Sequence, residues 1–346
     1  MNPFSPEKVL YNMHYWEVME RMEIPPPLCV QLSPTNLCNL DCVWCMAEKQ
    51  RTDPETATAR FPEWAVDELP GFLSDWGVGA VYITGGGEPL MWRPVDDLIR
   101  NLRKADIQIG LYTNGVLLNH HKHILPSLDW LGVSVDAGNA EDYDALKGGG
   151  HDFERVVENI RMACLDEGLE VTWKFVMYPG NLKGMFRAAE LAEAIGCKYI
   201  HFRPAAPRWW DNKKTQFTKA AVRMAMENLA KAHKLLDGIK VIGGTGKYNQ
   251  HFEVEHPFKT CHAVGMWATF EADGTLQLCC DHKNNPALTL CRWDDLSEVA
   301  ALWGGLKHQE IMASIDVSKC PKCTQSKANE LYEQFCMRDD TWKFFI

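Results

Sequence analysis

Leu37-Cys38-Asn39-Leu40-Asp41-Cys42-Val43-Trp44-Cys45 sets three cysteines in a C-x3-C-x2-C run. It follows directly on an apolar stretch, Leu28 to Leu32, that reads as a strand. Three thiolates at this spacing can hold an iron-sulfur cluster and leave its fourth iron open to a substrate or cofactor, whereas a fully ligated cluster only carries electrons. A second strand signal, Ala80 to Thr84, runs into Gly85-Gly86-Gly87-Glu88-Pro89. Glycines let the backbone come close to a ligand, and Glu88 offers an acceptor for an ammonium group.

Working outward, short β-branched runs alternate with helical patterns from about residue 28 to 203. The further strands are predicted at Ile107 to Thr113, Trp130 to Val135, Glu170 to Met177 and Tyr199 to Arg203, with amphipathic stretches such as Arg155 to Asp166 and Leu182 to Ile195 between them. Six β/α units in one sheet predict an α/β fold, an open, partial (β/α)6 barrel of the TIM type. Its active face is then the C-terminal edge of the strands, where both the cysteine run and the glycine turn fall. The expected organisation is an N-terminal arm over 1–27, the barrel with a bridging helix (about Phe217 to Leu236) over 28–238, and a C-terminal module over 239–346.

The 346 residues suffice for one large core plus a smaller module. The opening Met1-Asn2-Pro3-Phe4-Ser5-Pro6 lacks a basic stretch followed by an apolar run, and no apolar segment reaches about 18 residues, so neither export nor membrane spanning is expected and the cytoplasm is the default. In such a chain the grouping of thirteen cysteines points to metal rather than disulfides. A net charge of -10, with no basic stripe among aromatics, argues against a nucleic-acid partner and against a highly anionic substrate.

The cysteine run with an aromatic before its last cysteine, followed by a G-G-E-P turn, resembles the radical S-adenosylmethionine (radical SAM) enzymes. The resemblance implies a [4Fe-4S] cluster on Cys38, Cys42 and Cys45 whose open iron chelates the amino and carboxylate groups of SAM. It assigns the SAM amino group to Gly86, Gly87 and Glu88 and sets Trp44 near the adenine. A zinc or redox site beside a coincidental glycine turn is the alternative. Asn114, in the Thr113-Asn114-Gly115 end of the third strand, and Ser134 and Asp136 at the end of the fourth resemble family segments that approach SAM; a turn-forming Asn-Gly and capping Ser or Asp explain them equally. Lys174, inside an apolar strand, and Arg203, at the end of the sixth, are candidates for orienting a polyol or carboxylate if they point inward, and a desolvated Lys174 is a candidate base. Otherwise each braces a loop.

In the last third, Cys261 and Cys279 bracket Gly274 as C-x12-G-x4-C, and Cys320 and Cys323 form a C-x2-C pair. This pattern resembles the twitch extension of radical SAM enzymes, the shortened relative of the SPASM domain. It implies a β-hairpin (Met266 to Phe270 and Thr275 to Leu278 around Ala272-Asp273-Gly274), a short helix, and one auxiliary [4Fe-4S] cluster fully ligated by these four cysteines. Tetrahedral zinc is the alternative. A SPASM domain has a further cysteine where this chain has Asn329, so a second auxiliary cluster is not expected. Six cysteines remain, Cys29, Cys164, Cys197, Cys280, Cys291 and Cys336, read as buried thiols; Cys280, beside Cys279, is the candidate hydrogen-atom donor. Asn119-His120-His121-Lys122-His123 is read as a solvated helix face, Trp209-Trp210 as a pocket wall or domain packing, and Gly243-Gly244-Thr245-Gly246 as a turn.

The resemblance implies that a flavodoxin- or ferredoxin-type donor reduces the cluster, that SAM splits to methionine and a 5'-deoxyadenosyl radical, and that the radical takes a hydrogen atom from a small molecule. One auxiliary cluster, with only 37 residues before the cysteine run, resembles the aminocyclitol and sugar dehydrogenases and epimerases of antibiotic pathways, and enzymes that decarboxylate a sugar-acid nucleoside. The expected substrate is a polyol, sugar, aminocyclitol or nucleoside, undergoing dehydrogenation, epimerisation or decarboxylation. A peptide-modifying maturase and an iron-sulfur electron carrier are the rival readings.

Overall fold

Strict alternation along each strand decides the layering. A computed structural model describes residues 23–206 apart from 149 and 151, residues 217–243, and residues 256–336 apart from 284, 321 and 322, together with residues 8, 11, 12, 15 and 18. Its strands are β1 (Cys29–Leu32), β2 (Ala80–Ile83), β3 (Gln108–Thr113), β4 (Trp130–Ser134), β5 (Glu170–Met177), β6 (Tyr199–Pro204), β7 (Lys240–Gly243), β8 (Trp267–Phe270), β9 (Thr275–Gln277) and β10 (Thr289–Arg292). They join in one sheet of order β10-β9-β8-β1-β2-β3-β4-β5-β6-β7, in which β1 to β7 pair in parallel succession. This is the partial TIM-type barrel expected from the six strand signals, each found within one or two residues of its predicted bounds.

Val30, Leu32, Val81, Ile83, Ile109, Leu111, Leu131 and Val133 face outward into one buried core with Leu69, Leu73, Leu98 and Leu102. The helices that supply this cover include α2 (Ala65–Trp76) and α3 (Val95–Lys104), which follow the short α1 (Glu48–Thr52). With period two, the alternate residues turn to the inner face. Gln31, Tyr82, Tyr112, Trp130, Thr172, Lys174 and His201 lie there, and the rings of Tyr112 and Trp130 meet at 4.6 Å while Tyr82 stacks on Trp267 at 5.7 Å. The barrel is therefore apolar outside its strands and polar-aromatic inside.

Several local expectations are corrected. Gly243 does not begin a turn: it ends β7, a seventh parallel strand; Gly244 to Gly246, like Trp209 and Trp210, lie outside the described residues. After α4 (Ala140–Lys147), the stretch from Arg155 folds as α5 (Phe153–Ala163) and that from Leu182 as a 3-10 turn followed by α6 (Met185–Ala194). The bridging helix is α7 (Lys219–Leu235), capped by the Thr218 side chain, which accepts from the Ala221 N–H. Asn119 to His123 fall in a 3-10 segment whose His121 and His123 both reach Asp96, at 2.6 and 3.0 Å. Asn119, His120, Lys122 and His123 are exposed, as a solvated face requires, and only His121 is half-buried against Asp96 in the first turn of α3.

The C-terminal hairpin turns at Gly274, whose φ of +84° suits glycine, and its first strand lies beside β1, in register from Cys29↔Trp267 to Leu32↔Phe270. β10 extends the edge antiparallel to β9, and α8 (Leu296–Leu302), α9 (Leu306–Ser314) and α10 (Ser326–Cys336) follow. In α9, buried His308 accepts from the Gly304 N–H at 3.0 Å through Nδ1 and donates from Nε2 to the Val264 carbonyl at 2.9 Å, an arrangement that requires the neutral ring. Burial lowers its pKa, partly offset by that carbonyl. A base held neutral in the fold stabilises it above the unfolded-state pKa of about 6.5 and loses that contribution as pH falls through this value. We expect urea titrations to show a steeper loss of stability below about pH 6.5 in the wild type than in His308→Gln; parallel pH profiles would contradict it. No described helix is long and apolar enough to cross a membrane.

Candidate active site

The loop from Pro34 to Cys45 has little regular structure of its own and is held by its neighbours. From the glycine turn, the Gly87 N–H donates to Thr35 O and the Glu88 N–H to Leu37 O, both at 2.8 Å. From the other side, Asp41 N–H donates to Lys147 O at 2.8 Å and Val43 N–H to Leu146 O at 3.1 Å, so the end of α4 clamps the same loop. From α1, Arg51 donates through Nη2 to Leu40 O at 2.5 Å and through Nη1 to the Cys45 sulfur at 3.5 Å. Arg51 is a further candidate that the sequence does not mark, because nothing at i+6 from a cysteine signals such a contact.

Cys38, Cys42 and Cys45 all stay partly accessible at this loop. Burial raises the Cys38 thiol, against the lowering effects of a hydrogen bond from the Leu40 backbone and of Arg51, and raises Cys42 to about 11, against nearby Lys147. The charge of Cys45 adds a smaller rise at both. Among the described residues no three His, Cys, Asp or Glu side chains converge on a single metal ion. Three soft sulfur donors and a cation fit a multi-iron anionic cluster, whose binding would drive the thiols to thiolates.

The glycines have a steric task. A Cβ on Gly87 would lie 1.9 Å from Leu37 O, and one on Gly86 2.0 Å from the Asn36 Oδ1. Glu88, only 2 % exposed, accepts from Thr113 Oγ1 at 2.6 Å, from Asn114 N–H at 2.7 Å and from Leu90 N–H at 3.2 Å. Burial raises its pKa and these three donors oppose the rise. In this state its carboxylate ties the turn to the end of β3. Asn114 is similarly engaged: Nδ2 donates to Asn39 Oδ1 at 2.8 Å and Oδ1 accepts from Val116 N–H at 3.0 Å, linking β3 to the cysteine loop.

At the end of β4, Asp136 (1 % exposed, φ +64°) forms an ion pair with Lys147 (2 % exposed) and accepts from Val176 N–H at 2.6 Å. Burial would lower the Lys147 pKa, but Asp136, with Cys42 and Tyr143, carries the net direction upward. Lys147 also donates to Ser134 O at 2.8 Å. Asp136 is thus engaged on both oxygens as a brace, while the Ser134 side chain is half-buried at the strand end. Trp44 packs with Leu146 and Ala205 and lies 5.7 Å from the Tyr178 ring.

Both candidate substrate residues stand on the inner face. Lys174 Nζ lies 2.6 Å from His201 Nδ1 and over the rings of Tyr112 and Trp130 at 5.2 and 5.9 Å. His201, two residues before Arg203, was not singled out from sequence. Arg203 donates from Nη2 to Thr324 Oγ1 at 2.6 Å, and Thr324 in turn bonds Asp281, its Oγ1 donating to Oδ1 at 2.6 Å. The barrel is thereby tied to the loop just after Cys323.

Around the C-terminal cysteines, Asp281 raises the pKa of Cys261, Cys279, Cys320 and Cys323 alike, although burial is the larger cause at each; Cys320 reaches about 11. Asn329, fully buried, accepts from the His262 and Ala263 N–H groups at 2.7 and 2.8 Å and lies with Nδ2 3.8 Å from the Cys323 sulfur. Read from sequence as a missing cysteine, it is a polar staple between the Cys261 and Cys323 segments.

Residues 32–189 match the Radical SAM superfamily, and the chain carries a radical SAM domain there, of a family that takes a [4Fe-4S] cluster and SAM. Among curated relatives, a probable GTP 3',8-cyclase of Archaeoglobus fulgidus is 30% identical over 196 residues, covering 50% of this chain and 63% of its own length, and one of Saccharolobus islandicus is 28% identical over 176 residues, covering 50% and 55%. The chain thus spans less than two thirds of the relatives it matches. Among solved structures, Streptococcus suis SuiB bound to S-adenosylmethionine superposes with a TM-score of 0.67 at 15% identity, over 98% of this chain and 84% of that one. Native anSMEcpe with bound AdoMet gives 0.63 at 17%, over 83% of each. These likenesses establish the shared fold.

Proposed function

We propose that this radical SAM enzyme abstracts a hydrogen atom from a small polyol, sugar, aminocyclitol or nucleoside, giving dehydrogenation, epimerisation or decarboxylation. The observation that carries the reading is the inner face of the barrel, where Tyr82, Tyr112 and Trp130 form an aromatic wall beside the Lys174–His201 pair. Aromatic faces exclude water from a sugar-like ring while a few polar groups orient its hydroxyls. Cys38, Cys42 and Cys45 would hold a [4Fe-4S] cluster, which would supply the electron, received from a flavodoxin- or ferredoxin-type donor, for cleaving SAM to methionine and a hydrogen-abstracting radical.

In this reading Gly86, Gly87 and Glu88 border the SAM amino group, Asn114 and Ser134 approach its polar groups, Trp44 lies towards the adenine, and Asp136 acts indirectly through Lys147. Lys174 and Arg203 orient the substrate. A Lys174 ammonium requires the His201 Nδ1 to accept, so the ring carries its proton on Nε2 and the pair can take up or release a proton at one site. Cys261, Cys279, Cys320 and Cys323 would hold the auxiliary cluster that accepts or returns an electron. A GTP cyclase-like reaction is the second reading, favoured by the curated relatives over half of this chain.

Release of 5'-deoxyadenosine by anaerobically reconstituted protein tests the choice. Stimulation by a neutral polyol, aminocyclitol or nucleoside supports the first reading; stimulation by GTP alone supports the second, and by peptides alone neither. Replacing Cys38, Cys42 and Cys45 together by Ala should leave about four iron per chain, and an iron-free variant would remove the auxiliary cluster from the scheme. Arg51→Met should shift the midpoint potential of the SAM-binding cluster to more negative values, because a cation donating to a ligand sulfur favours the more negative reduced state. Redox titration followed by EPR reads this, and an unchanged potential would leave Arg51 a loop brace only.

A further inference from the structure

Where a SPASM domain carries a further cysteine, this chain sets the fully buried side chain of Asn329, on α10, between the Cys261 and Cys323 segments. Its Oδ1 accepts at 2.7 and 2.8 Å from the N–H groups of His262 and Ala263, the two residues that follow Cys261. These two backbone donors fix which way the amide points, because an oxygen can face them and an NH2 group cannot. Nδ2, with its two protons, is thereby turned to the opposite side. There it lies 3.8 Å from the Cys323 sulfur. It also donates to Cys261: burial raises the pKa of that thiol, and hydrogen bonds from the Val264 and Ala263 N–H groups and from the Asn329 side chain oppose the rise. Among the described residues these two sulfurs are the acceptors that Nδ2 meets.

A thiol sulfur is a weak acceptor, whereas a thiolate that ligates iron carries charge and accepts strongly. A buried amide aimed at two thiols is therefore poorly satisfied, and the same amide aimed at two ligand sulfurs is well satisfied. The neighbouring C-x2-C segment is held on both sides: His256 Nε2 lies 2.9 Å from Cys320 O, and the Thr324 N–H and hydroxyl both donate to Asp281. Hydrogen bonds to the sulfurs of an iron-sulfur centre stabilise its more negative, reduced state and so raise its reduction potential. Such a centre takes up an electron more readily. A substrate radical on a hydroxyl-bearing carbon loses one electron and the hydroxyl proton when it becomes a ketone, but loses neither when a hydrogen atom is returned to it.

We propose that Asn329 is a positioning residue for the auxiliary centre, donating from one amide to the Cys261 and Cys323 sulfurs and raising the reduction potential in the direction that dehydrogenation needs. The assignment rests on reading Cys261, Cys279, Cys320 and Cys323 as ligands of a [4Fe-4S] cluster. The full-length chain with Cys38, Cys42 and Cys45 replaced by Ala isolates that centre, and its iron content tests this reading by itself. In that parent, redox titration followed by EPR compares Asn329 with Asn329→Leu, which has similar size and no donor. The midpoint of the Leu variant should be more negative by about 59 mV or more, a tenfold change in a one-electron equilibrium. Pulsed EPR of the reduced parent, labelled with 15N in its asparagine side chains, should show a nitrogen coupling that Asn329→Leu abolishes. Equal midpoints in the two cluster-loaded proteins would overturn the assignment, as would absence of the coupling from the parent. If the Leu variant holds no iron, the coupling in the parent decides alone. A parent without iron would instead overturn the cluster reading, and the role of Asn329 with it.

Discussion

Gly87→Ala is expected to empty the SAM-binding cluster rather than merely weaken SAM. The added Cβ would stand 1.9 Å from Leu37 O, 2.4 Å from Leu37 C and 2.6 Å from Asn36 C, all backbone atoms of the loop that leads into Cys38. No rotamer change relieves such a clash, so turn and loop must part and the Gly87 N–H to Thr35 O and Glu88 N–H to Leu37 O bonds break. Overpacking costs about 1–3 kcal/mol and each lost bond roughly 1 kcal/mol more. Iron analysis of the reconstituted variant should fall by about four per chain. Gly86→Ala gives the contrast, since its nearest neighbour is the Asn36 side-chain oxygen, which can swing away at the expense of the Asn36 bond to Thr56 O. A Gly87→Ala protein with full iron and only a raised Kd for SAM would refute the steric role.

The second large effect is on stability. Lys147→Met leaves the Asp136 carboxylate buried without its counter-ion, a change that costs about 3–5 kcal/mol. The pair stands behind the cysteine loop, whose Asp41 and Val43 N–H groups rest on the backbone of Lys147 and Leu146. Asp136→Asn added to Lys147→Met should cost less than the two single changes summed, because the second removes the stranded charge. Urea titrations of the four proteins measure the cycle, and strict additivity would mean that the pair does not act as a unit.

How much of this was legible follows from range. β5 could be read to the residue because Val171, Trp173, Phe175 and Met177 alternate cleanly, and the glycine turn because glycine and carboxylate types are scarce in that order. β7 was missed because Lys240–Gly243 is four residues of mixed character that become a strand only by pairing with β6. The assignment of Lys174 and Arg203 to the inner face follows from period two, but their partners, His201 and Thr324, are set by packing between elements that sequence spacing does not encode. Asn329 shows the same limit, since composition marks only the cysteine that is not there.

The pairing of β1 with both β2 and β8 bears on the order in which the protein matures. β1 precedes the cysteine run by a few residues, yet one of its two edges is covered by Trp267–Phe270, more than two hundred positions later in the chain. During synthesis at about 5–20 residues per second, that edge stays bare until the hairpin has left the ribosome, while Cys38, Cys42 and Cys45 have long been available. Iron delivered in that interval would meet three thiols on an unfinished scaffold, so productive cluster insertion belongs after chain completion, and a pulse of iron during translation should load the centre no faster than the same pulse given once the chain is released.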